Sequence, residues 1–219
     1  MANNEKIKKD VVDNLYWDTR VDAVDVTVDV EDGNVTLSGT VPSYTSRLAA
    51  VSSAWLVKGV SSVTNLITVE YPSIITMPSD SEIKSNVENK LLWDSSLNST
   101  KIDVEVKNKD LTLEGVVDSY WKKDWAEDLA DVVGVKSIIN KIAVVPNEKY
   151  DDENIAKDII DALSRNSIVD VENVEVKVEE GKVTLTGTVS SWTEFNSAEN
   201  TAYYTVGVTQ VENLLNITY

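Results

Sequence analysis

The sequence predicts an α+β fold of three tandem repeats, each running helix, strand, strand, helix, strand, and three observations predict it. Residues 33–41 read GNVTLSGTV, residues 181–189 read GKVTLTGTV, and residues 109–117 read KDLTLEGVV. Aligning these on Gly39, Gly115 and Gly187 brings the flanking sequence into register. Within each register the apolar spacing passes from helical to alternating and back, and self-similarity in a common register marks an internal repeat.

Each element follows from its spacing. Ile7, Val11 and Leu15 recur as Ile83, Val87 and Leu91 and as Ile155, Ile159 and Leu163, an i, i+4, i+8 stripe that makes one face of an amphipathic helix. Val26, Val28 and Val30 then alternate with polar residues, as do Ile102, Val104 and Val106, and Val174, Val176 and Val178. A period of two is a half-buried strand. Short turns follow, with Gly33 and Gly181 in the outer copies and Asn108 expected to take the left-handed position in the middle one. The aligned phrases form the second hairpin strand. Ser43, Ser119 and Ser191, each followed by an aromatic residue, are N-caps of a second helix, and Ser191 with Glu194 has capping-box spacing. That helix is expected to stop at Gly59, Gly134 and Gly207. Val63, Ile67 and Val69, with Ile138, Ile142 and Val144 and Val211, Leu215 and Ile217, mark the last strand. The repeats span 5–72, 80–146 and 152–219. The first linker, YPSIITMPS, carries Ile74, Ile75 and Met77, which predicts a packed connection.

Composition narrows the function. A chain without Cys has no disulfides or thiolate metal sites, and a chain without His lacks the commonest general base and transition-metal ligand. With no phosphate-binding loop, metal motif or cofactor motif, the sequence predicts no enzyme, no metal and no cofactor. A net charge of −17 opposes nucleic acid, whose binding draws on Lys and Arg at phosphates. No apolar run is long enough for a transmembrane helix. The amino terminus, MANNEKIKKD, lacks the apolar stretch of a secretory signal, so the expected compartment is cytoplasmic as written, or periplasmic if a leader has been removed.

The paired motifs VTLxGxV and GVxxVxN resemble the BON domain, a bacterial module of osmotic-stress and nodulation-associated proteins. They stand at 35–41 with 59–65, at 111–117 with 134–140, and at 183–189 with 207–213; the middle copy has one residue fewer in its second helix. The resemblance implies a three-stranded mixed sheet with two helices on one face in each repeat. It also implies a non-catalytic role, binding phospholipid or another envelope component in a bacterial stress response. The alternative is a protein–protein interaction scaffold that binds no lipid.

Candidate ligand or interface residues are Gly39, Gly115 and Gly187, and Trp17, Trp93, Trp121 and Trp125. The glycines would expose bare backbone to a ligand, as the family implies, or let neighbouring backbone approach closely. Tryptophans are membrane-interface anchors and ligand platforms, or they seal contacts between repeats. Asn65, Asn140 and Asn213 would read a polar ligand group or satisfy nearby backbone. The acidic runs 151–153 and 179–180 lack the spacing of a calcium loop and read as solvated charge.

Overall fold

A computed structural model describes residues 2–97 and 102–218. The first repeat runs α1 (Ala2–Trp17), β1 (Val26–Glu31), β2 (Asn34–Val41), α2 (Tyr44–Trp55) and β3 (Ser62–Val69). The second is α3 (Asp80–Trp93), β4 (Ile102–Lys107), β5 (Asp110–Val117), α4 (Tyr120–Ala130) and β6 (Ser137–Val144). The third is α5 (Asp152–Arg165), β7 (Val174–Glu179), β8 (Lys182–Val189), α6 (Trp192–Tyr203) and β9 (Gln210–Ile217). The predicted order of elements thus holds in all three copies. Among the described residues no helix is long and apolar enough to cross a membrane.

The sheets are ordered β1-β2-β3, β4-β5-β6 and β7-β8-β9. In the first, β2 is antiparallel to β1, with Val28 opposite Leu37, and parallel to β3, with Leu37 beside Asn65. The third sheet repeats this register, with Val176 opposite Leu185 and Leu185 beside Asn213. A tight turn suffices for the antiparallel step, whereas the parallel step needs a crossover, and the second helix of each repeat supplies it.

One face of each sheet is apolar and both helices cover it. Ile7, Val11 and Leu15 of α1 are buried with Val28, Val35, Leu37 and Ile67, and the third repeat buries Ile155, Ile159 and Leu163 with Val183, Leu185 and Leu215. The second helix packs through small residues: Ala49, Ala50 and Ala54 in α2, Ala126 and Ala130 in α4, and Ala198 and Ala202 in α6. Alanine brings the helix axis close to the sheet, leaving the larger side chains of the first helix to fill the interior.

Two compact units divide the chain. The first joins the first repeat and α3 up to Lys90 to residues 104–112 and 130–139; the second joins the third repeat to residues 91–103, 113–129 and 140 onward. In the first unit, Tyr71 packs on the core and its hydroxyl donates to the Val135 carbonyl at 3.0 Å. Lys90 Nζ donates to the Asp131 carbonyl at 3.1 Å, and the Thr45 hydroxyl donates to the Asp131 carboxylate. In the second unit, Tyr120 packs on the third repeat's core and the Tyr203 hydroxyl donates to the Trp121 carbonyl at 3.1 Å.

Three local expectations are corrected or sharpened. The second helix ends before the glycine, α2 at Trp55 and α6 at Tyr203, because Val57 and Thr205 turn back onto Ala54 and Ala202. Gly59 lies beyond that turn, at φ +96°, where an added Cβ would stand 2.9 Å from Ile7 Cδ1. Gly134 meets Ile83 and Gly207 meets Ile155 in the same way, so this glycine exists for contact with the first helix. The middle hairpin turns on Asn108 as expected, at φ +54°, but Lys109 is also left-handed, at φ +72°. Its ammonium pairs with Asp80 at 3.0 Å and donates to the Pro78 carbonyl. Lastly, the apolar linker is packed only at its ends. Tyr71 and Pro78 are engaged, whereas Ile74 is 91% exposed and Ile75 and Met77 are open to solvent.

Candidate functional site

Gly39 sits within β2 at φ +111°, and a Cβ there would stand 1.9 Å from the Asp25 carbonyl oxygen. Gly187 at φ +126° meets the Asn173 carbonyl at 2.0 Å, and Gly115 is at φ +149°. The carbonyl that crowds Gly39 accepts the Thr40 N–H at 3.2 Å. The space beside the glycine is therefore occupied by the chain entering the hairpin. Asn65 and its equivalents serve the backbone too. On the outer edge of its sheet, Asn65 Oδ1 accepts the Ile67 N–H at 3.0 Å, Asn140 Oδ1 accepts from Ile142 at 3.2 Å, and Asn213 Oδ1 accepts from Leu215 at 3.2 Å. Asn140 also donates to the Lys123 carbonyl of α4 at 2.8 Å, and Asn213 to the Phe195 carbonyl of α6 at 3.3 Å. The side chain covers part of an otherwise open strand edge, and in Asn140 and Asn213 it also ties that edge to the helix.

The tryptophans divide into two kinds. Trp17 and Trp93 end α1 and α3 at 77% and 86% exposure, although each follows a fully structured helix. Tyr16 meets the Trp17 ring edge-on at 5.2 Å and is itself exposed, as is Leu92 beside Trp93. By contrast, Trp121 is half-buried, with Lys122 Nζ 5.8 Å from its ring centroid. Trp125, 40% exposed, donates its indole N–H to Asp94 Oδ2 at 2.9 Å, and that bond holds the Asp94 carboxyl below the usual carboxylate range.

The carboxyl ends of α1 and α2 lie side by side. Asn14 donates to the Ser53 carbonyl at 3.3 Å, and the Ser53 hydroxyl donates to Asp18 at 2.7 Å. The Arg20 guanidinium, 2.7 Å away, together with Ser53, holds Asp18 well below the usual carboxylate range. This tie fixes the end of the helix pair that presents Tyr16, Trp17 and Leu56. In the third repeat Asn166 makes the corresponding tie to Ser197 at 2.8 Å, and Tyr204 and Val206 are the exposed residues there.

Comparison with known proteins places the chain. The BON domain family matches residues 3–71, 79–146 and 151–219. The chain belongs to the BON-domain family. A curated relative, Osmotically-inducible protein Y of Escherichia coli (strain K12), is 33% identical over 145 residues, 64% of this chain and 70% of the relative. Among solved structures, CdsD, described as a structural protein of the type III secretion system of Chlamydia trachomatis, is 13% identical. It aligns over 97% of this chain and 92% of its own at a TM-score of 0.28.

The BON repeats also contain groups that spacing alone did not reveal. Glu194 was visible as a capping-box partner, and Ser191 does accept the Glu194 N–H at 3.2 Å. Its carboxylate, however, is buried and accepts from the Ser190 N–H and hydroxyl, both at 2.8 Å, and from the Asp170 N–H at 2.9 Å. Burial pushes this carboxyl up, but those donors outweigh it and hold it below its ordinary value. Asp152 bridges the third hairpin, accepting from the Glu180 and Gly181 N–H groups at 2.8 and 2.9 Å. Asp80 accepts from Asn108 N–H at 2.8 Å in the second. Each Asp stands in the first turn of its helix, and both lock a turn to a helix end.

Proposed function

We propose that this BON-domain chain is a non-catalytic binding protein of a bacterial osmotic or envelope stress response that contacts phospholipid or another apolar envelope surface. The observation that carries the reading is the exposure of Trp17 and Trp93 at equivalent helix ends, each beside another exposed apolar side chain. Indole prefers the boundary between hydrocarbon and water, and leaving these rings in solvent serves no internal packing. The similarity to Osmotically-inducible protein Y supports the stress setting.

Charge sets the kind of surface. At −17 the chain is repelled by an anionic bilayer, over a range of about 10 Å at 0.1 M salt. Binding is therefore expected to be weak, stronger to neutral phosphatidylcholine vesicles than to anionic ones, and strengthened by salt for the anionic ones. Tryptophan emission and co-sedimentation at two salt concentrations test this, with Trp17→Ser/Trp93→Ser expected to lose the blue shift. An unchanged spectrum and no co-sedimentation in any condition would sink the lipid reading. The scaffold reading would then stand.

A further inference from the structure

The hairpins of the second and third repeats share a frame but differ in what fills it. In the second, Asp80 in the first turn of α3 accepts the Asn108 N–H at 2.8 Å. The Lys109 side chain folds back so that its ammonium meets the Asp80 carboxylate at 3.0 Å and donates to the Pro78 carbonyl. That ammonium holds the Asp80 carboxyl below its usual range, and the Lys109 side chain is only 23% exposed. Pro78 in turn lies against Gly134.

The third repeat carries the same frame without the lysine. In the common register Asp152 stands for Asp80, Tyr150 for Pro78, Glu180 for Asn108 and Gly181 for Lys109. Asp152 accepts the Glu180 and Gly181 N–H groups, and Tyr150 lies against Gly207 as Pro78 lies against Gly134. Beside Gly181, which has no side chain to occupy it, is a cavity of about 860 Å³ bounded by Tyr150, Asp152 and Thr209. Ligand sites commonly measure about 300–1,000 Å³. Four carboxylates line the cavity, Glu148, Asp151, Asp152 and Glu180, against the one ammonium of Lys149. The first repeat has the glycine, Gly33, but Asn4 where the other two have Asp.

We propose that this cavity binds a primary ammonium group, the lysine side chain of another polypeptide taking the place that Lys109 takes in the second repeat. A lysine ammonium brings three donors and a compact charge on a slender stem. Acidity alone does not choose this ligand; the seated Lys109 does, because the matching carboxylate and hairpin hold its ammonium there. The site contains no tryptophan, so it stands whether or not the helix ends bind lipid.

The test is an amide NMR titration of the full chain with Nα-acetyl-lysine methylamide, against sodium chloride at matched ionic strength. Saturable shifts are expected at Asp152, Glu180, Gly181 and Thr209, and none at Gly33. Asp152→Asn should weaken binding several-fold. Because that carboxylate also holds the hairpin turn, a gain of binding supplies a second arm. Lys109→Gly empties the equivalent place at a φ of +72°, which glycine adopts freely, so a second saturable response should appear at Asp80 and Asn108. The Nε-trimethylated probe keeps the charge but has no N–H to donate there, and ethanolamine, the ammonium of a lipid headgroup, lacks the long stem. Both should bind several-fold more weakly, and equal binding of either would overturn the lysine assignment. Shifts at Glu180 and Gly181 that never saturate, or that appear equally at Gly33, would mean general attraction to an acidic chain and overturn the proposal. So would Lys109→Gly without a second response.

Discussion

Gly39 is legible in the sequence as the fixed point of a recurring phrase, but its reason is not, because the atom that demands it belongs to Asp25, outside the phrase. An alanine Cβ would stand 1.9 Å from that carbonyl oxygen, inside any tolerable contact, at a φ that L side chains rarely adopt. Neither the sheet edge nor the hairpin entry can move without breaking the ladder. Gly39→Ala and Gly187→Ala are therefore each expected to cost about 2–3 kcal/mol, measured by urea unfolding. A glycine kept only for ligand contact would behave differently, losing binding while the unfolding midpoint stayed in place. The tryptophans carry the opposite lesson. Trp17 ends a first helix and Trp125 lies within a second one; the first is open and the other is bonded to Asp94. That difference lies in where Asp94 falls after the fold forms, and no spacing rule encodes it.

Periodicity made the helices and strands readable because it records which side of an element must leave water. It could not say where an element stops when tertiary contact decides the matter. Gly59 follows α2 in the sequence and was a natural terminator, yet its place is set by Ile7, far away along the chain. The linker misled for a related reason: apolar residues show what could be buried, and without a period nothing says that they are. Ile74 and Ile83 make the contrast measurable, since one is 91% exposed and the other fully buried against Gly134. Ile74→Ser should leave stability within about 0.5 kcal/mol of wild type. Ile83→Ala should lose about 2–5 kcal/mol, the transfer of the side chain plus the cavity it leaves. Comparable unfolding midpoints for the two would mean that the linker is packed after all.

The whole chain is three repeats by sequence and two compact units by contact, with the division passing through the middle repeat. Repeat architectures gain stability from each neighbour as well as from each unit's own core. The middle copy shows how: Val135 takes the Tyr71 hydroxyl within the first unit, and Trp121 takes the Tyr203 hydroxyl within the second. Tyr120, its own aromatic residue, packs onto the third repeat's core. Residues 80–146 expressed alone keep the α3 stripe and the β4-β5-β6 sheet but lose both tyrosine donors and the surface that covers Tyr120. A core of that size rarely supplies more than about 3–5 kcal/mol. Each missing hydrogen bond removes about 1 kcal/mol, and uncovering Tyr120 removes more. Since about 1 kcal/mol moves the midpoint of so small a domain by roughly 4–8 °C, the fragment should melt roughly 10 °C or more below the same segment in the full chain. Hydrogen exchange of the 80–146 amides on heating, in the fragment and in the full chain, makes the comparison. Coincident melting would show the middle repeat to be self-sufficient and its tyrosine contacts to be incidental.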